Sequence, residues 1–146
     1  IEWMTQRHYL DSVRDDQALD PQFKSLLRHH WMEEAQHARL DSLMVEELAS
    51  TRSPKEIEAA VDGYLDIGGF LDKGCGAQVE MNLDAFERAT GRRLTPSERD
   101  RFLAVQRRAV RWTYLGSGMT HPNFVETLRG LGSAADRIAA VAPAVS

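Results

Sequence analysis

Apolar residues along this 146-residue chain recur at intervals of three and four rather than two, the spacing of helices that bury one face. Over residues 54–90, Ile57, Val61, Leu65, Gly68, Cys75, Val79, Leu83 and Phe86 trace one such stripe. Over 96–115, Phe102, Gln106, Ala109, Val110 and Thr113 trace another. The helix starts are marked by Asp20-Pro21, Ser53-Pro54 and Thr95-Pro96, each an N-cap oxygen followed by a proline at the first helical position. Ser53 with Glu56 and Thr95 with Glu98 also have the spacing of a capping box. The pattern predicts helices over 1–15, 21–50, 54–90 and 96–115, a short one over 122–131 after His121-Pro122, and no strands. Short connections between long helices make sequential neighbours antiparallel. The expected architecture is therefore all-α, an up-down four-helix bundle over residues 1–132. A tail over 133–146, rich in Ala and Val, should form a last helical turn or a loose end.

Glycine changes this picture in two places. Gly63, Gly68, Gly69, Gly74 and Gly76 all fall within the third helix, and each costs up to about 1 kcal/mol relative to alanine. A kink, a bulge, close packing or a break around residues 68–76 is expected. The run from Tyr114 to Pro122 reads as a helix end followed by a turn. Its glycines lack the spacing and the lysine of a phosphate-binding loop, and they follow a helix rather than a strand.

Charge and composition narrow the class. The formal charge of −4, with both signs mixed along the chain, gives no basic excess for nucleic acid. No apolar run is long enough to cross a bilayer. One cysteine, Cys75, leaves no internal disulfide framework, which fits a reducing cytoplasm. The chain opens at Ile1-Glu2-Trp3 without an initiator Met or a charged-then-apolar leader, as expected of a processed or trimmed chain.

The candidate chemistry lies in the second helix. His30, Glu34 and His37 follow the spacing H-x-x-x-E-x-x-H, which stacks three side chains on one helix face. Phe23, Leu27, Val45 and Leu48 continue that face as an apolar stripe. Burying two imidazoles and a carboxylate there costs roughly 2–7 kcal/mol per unpaired polar group, and a metal ion satisfies all three at once. Counted from a turn near Leu19, Glu2 lies seventeen residues before it and Glu34 fifteen beyond, so Glu2 sits at matching depth. Across the next turn the same height on the third helix falls near residues 68–72, where Asp72 has the inward phase. Glu80 lies toward the arc of Asp62, Asp66, Asp84 and Glu87, which reads as solvated. The candidate ligands are Glu2, His30, Glu34, His37 and Asp72, with Glu80 the alternative to Asp72. Asp41, one turn beyond His37, is placed to orient that imidazole. The competing reading is a metal-free polar layer that fixes helix register.

These residues resemble the ferritin-like di-iron carboxylate superfamily, whose bundles hold metal with a lone Glu on one helix and Glu-x-x-His on the next, repeated in a second helix pair. Glu34-Ala35-Gln36-His37 is similar to that Glu-x-x-His, and Glu2, thirty-two residues upstream of Glu34, matches the lone Glu. The additional His30 resembles the oxygenase branch. A second Glu-x-x-His is absent from the fourth helix. The resemblance implies an iron-binding bundle of one or two ions, with manganese as the other metal. Mixed imidazole and carboxylate donors suit these ions better than structural zinc. It also implies an oxidase or oxygenase acting with dioxygen on a small-molecule substrate. The rival functions are a non-enzymatic iron storage or delivery protein and a metal-free helical interaction module. A homodimer is compatible with each, and it would supply ligands that the fourth helix lacks.

Overall fold

The computed structural model describes residues 1–145, and among them every regular element is helical. Helix α1 (Glu2–His8) runs on through a π-helical turn at Tyr9–Val13. Helix α2 spans Pro21–Ser50, α3 Pro54–Thr90 and α4 Pro96–Arg111. A π-helical turn at Trp112–Gly116 then leads without a break into α5 (Ser117–Met119), followed by α6 (Pro122–Arg129) and α7 (Asp136–Val141). No helix among the described residues is long and apolar enough to cross a membrane.

The punctuation in the sequence acts as expected. The Asp20 carboxylate accepts from the Phe23 amide at 2.9 Å and caps α2. Ser53 with Glu56 and Thr95 with Glu98 both close reciprocal capping boxes. Helix α3 ends where Gly91 adopts φ +66, the left-handed conformation that a residue with a Cβ resists.

The glycines of α3 do not act as expected. The helix is unbroken through all five, and an added Cβ at any of them would meet nothing within 4 Å. Its capped ends and the buried residues Val61, Val79 and Leu83 carry it through the costly stretch. Nothing in the structure calls for these glycines. The turn expected at 114–122 is helical as far as Met119. Gly118 permits this, because a Cβ there would lie 3.1 Å from the Met4 Cβ, so α1 crosses directly over it.

The helices pack in pairs: α1 lies between α2 and α5, and α3 lies along α4. In the second pair, Phe86 and Phe102 meet with ring centroids 5.5 Å apart, and Asn82 donates to Gln106 at 3.2 Å. A buried cluster joins Val61 of α3 to Leu115, Met119, Leu128, Ala135, Ile138 and Ala142. The tail is thus docked on the core through Ile138 rather than loose, although Ser146 lies outside the described residues.

Candidate functional site

Helix α1 is fixed against α2 by contacts one turn apart. The Trp3 indole donates to the Ser42 hydroxyl at 3.1 Å, the Gln6 amide donates to the Trp31 carbonyl at 2.8 Å, and Tyr9 stacks on Trp31 at 5.0 Å. Ala38 and Ser42 are buried beneath it. Arg7 ties the other side of α1 down. Its guanidinium donates to the Thr120 carbonyl at 2.8 Å and the Thr120 hydroxyl at 2.7 Å, and it lies 4.9 Å from the centre of the Trp112 ring system. His121 folds back and stacks on Trp3 at 4.4 Å. Together these contacts set the position of Glu2 at the start of α1.

Four of the five ligands predicted from the sequence come together. The Glu34 carboxylate sits between two imidazoles, with His30 Nε2 2.8 Å from one oxygen and His37 Nδ1 2.9 Å from the other. Glu2 and Glu34 share a side-chain hydrogen bond between their carboxyl groups. The Glu2 carboxyl is pushed above its ordinary value, first by burial and then by that bond and the charge of Glu34. Glu34 is held below its ordinary value, chiefly by the hydrogen bond with His37. His37 is raised by the same bond. Two carboxylates in contact repel unless a proton or a cation lies between them.

Asp72 is not part of this group. Its carboxylate is gripped by the Arg111 guanidinium through two bonds of 2.5 and 2.7 Å, which hold it below the usual carboxylate range. Arg111 of α4 thus pairs with an acid of α3. Glu80 and Asp41 are exposed. His29, on another face, lies with its Nδ1 2.7 Å from the Ser25 carbonyl.

The expectation that the His30, Glu34 and His37 face is buried is corrected. The Glu34 side chain is 16% exposed, but His30 and His37 are 50% and 53% exposed. Helix α2 has two apolar arcs, and α1 covers the one holding Trp31, Ala38 and Ser42. The other arc, with Phe23, Leu26, Met44 and Leu48, is left open beside the donors. Among the described residues, no three His, Cys, Asp or Glu side chains converge as a set that could hold a metal ion. Instead the ring nitrogens of His30 and His37 are directed at the Glu34 oxygens. In kind, the donors fit iron or manganese, with two imidazole nitrogens and two carboxylates. Binding would exchange the present contacts for metal bonds.

Sequence reasoning missed Arg7, which positions α1 through Thr120. Its partner lies far along the chain, and no local pattern announces it. No protein-family model, no curated protein and no solved structure matches this chain.

Proposed function

We propose that this chain is a ferritin-like metal-binding protein in which Glu2, His30, Glu34 and His37 supply the protein ligands for iron or manganese. The observation that carries the reading is the carboxyl pair Glu2–Glu34 flanked by two imidazoles, four donors set together by two helices. A divalent cation would relieve the like-charge contact between Glu2 and Glu34. Helices α1 and α2 then pair side by side, with the two imidazoles half exposed on the side of α2 that α1 leaves open. Asp72 is left out of the ligand set because Arg111 holds it.

When bound, iron supplies one-electron redox capacity and open positions for dioxygen, the chemistry of an oxidase or oxygenase. The chain's own residues have simpler tasks. Glu34, screened on most sides, anchors the site. His30 and His37 offer nitrogen from either side of it, and the contacts of Trp3, Gln6 and Arg7 hold Glu2 at the same height. Storage or delivery of iron would use the same donors, and the absence of turnover of an organic donor under oxygen marks that case.

A second reading has its own support. Both oxygens of Glu34 are already paired within the protein, and an apolar stripe lies open beside them, as in a metal-free helical interaction module. Elemental analysis of protein purified without chelator separates the two. Stoichiometric metal in the natural sequence, lost in His37→Ala, supports the metal site. Absence of metal from both, with identical melting in chelator, supports the interaction module.

A further inference from the structure

The uncovered face of α2 has a symmetry of its own. The helix runs Pro21–Ser50, so its midpoint falls between Ala35 and Gln36, and Glu34 and His37 flank that midpoint. Apolar residues occupy both ends of the face, and the donors occupy its centre. Such a face is self-complementary under an antiparallel two-fold, in which the same patch of both copies meets. Centred on the midpoint, the pairing sets Phe23 opposite Leu48 and Leu26 opposite Val45, apolar against apolar at each end. It sets Glu34 opposite His37 and His30 opposite Asp41, acid against imidazole at the centre. None of these pairings opposes like charges.

We propose that two copies of this chain pair antiparallel through α2, so that Glu34 and His37 of both copies meet at the two-fold and form one shared metal centre, with each copy's Glu2 and His30 beside its own Glu34. This rests on the metal reading above and adds the source of the remaining ligands. With 30 residues, α2 is about 45 Å long and presents a strip about 10 Å wide, on the order of 450 Å² per copy. A stable interface covers about 800 Å² on each partner. Apolar contact alone falls short of that, so the dimer depends on the metal that bridges it.

Sedimentation of the full chain, with Mn(II) alone as the probe and bound manganese measured in the same samples, tests this. The expected result is monomer mass in chelator, doubled mass on Mn(II) binding, and loss of the doubling in Leu26→Glu and Met44→Glu. Both positions are exposed in the single chain, at 63% and 52%, and helix content by circular dichroism confirms that the variants fold. The register is read in a Cys75→Ser background, where Leu26→Cys chains mixed with Val45→Cys chains should cross-link on oxidation and neither should cross-link alone. Manganese bound at monomer mass overturns the pairing and leaves the metal reading standing. No manganese bound at all overturns the metal reading and the shared centre with it. Self-linking of Leu26→Cys overturns the antiparallel register.

Discussion

Glu87, in the last turn of α3, has a side chain only 5% exposed. It accepts from the Leu94 amide at 3.1 Å and from Arg93 and Arg99 at 2.8 and 3.0 Å. The Leu94 amide, ahead of the two guanidinium groups, holds its pKa below the ordinary glutamate value. A depressed carboxyl stabilises the fold above its unfolded pKa, and that contribution is lost as pH falls through the folded value. Glu87→Gln is therefore expected to melt below the natural sequence at pH 7, with the two melting curves converging as pH falls below the glutamate range. Thermal scans across pH check it. At Gly118 the prediction is steric: an added methyl meets the Met4 backbone and Cβ. Gly118→Ala should cost about 1–3 kcal/mol through overpacking, measured by denaturant unfolding. At this scale the sequence misled, because Glu87 falls on an arc that reads as solvated. Its partners lie beyond the helix end, where periodicity says nothing.

At the scale of elements, the caps made the boundaries legible. Proline after Asp20, Ser53 and Thr95 places three helix starts where they occur, and removing one oxygen has a local effect. Ser53→Ala breaks the box with Glu56 and should lower stability by about 1 kcal/mol, again read from denaturant midpoints. The glycines were the misleading signal. Helix propensity alone argues for a kink in α3, but packing along Val61, Val79 and Leu83 overrides it. Leu83 is fully buried, and Leu83→Ala should cost about 2–5 kcal/mol. In the stretch after α4 the same residue type marks a crossing rather than a stop. The reason is Met4, a contact that no local pattern encodes.

For the whole molecule, the donor types and spacing of the candidate site could be read from the chain, but their surroundings could not. Periodicity shows that α2 is apolar on the His30, Glu34 and His37 side, but not which of its two apolar arcs α1 will cover. The structure gives α1 the arc of Ala38 and Ser42 and leaves the donors beside open Phe23, Leu26, Met44 and Leu48. The distance count that placed Glu2 at the height of Glu34 holds, because α1 and α2 are antiparallel neighbours across a short turn. The same count carried to α3 reached Asp72, and there the charge of Arg111 decided its partner.

The central claim is that Glu34 organises a site for a divalent cation, and calorimetric titration of Mn(II) into the natural sequence and into Glu34→Ala tests it most directly. A saturable isotherm in the natural sequence, weakened at least about tenfold by the substitution, is the result this reading predicts. Indistinguishable isotherms, or no binding heat in either protein, would contradict it.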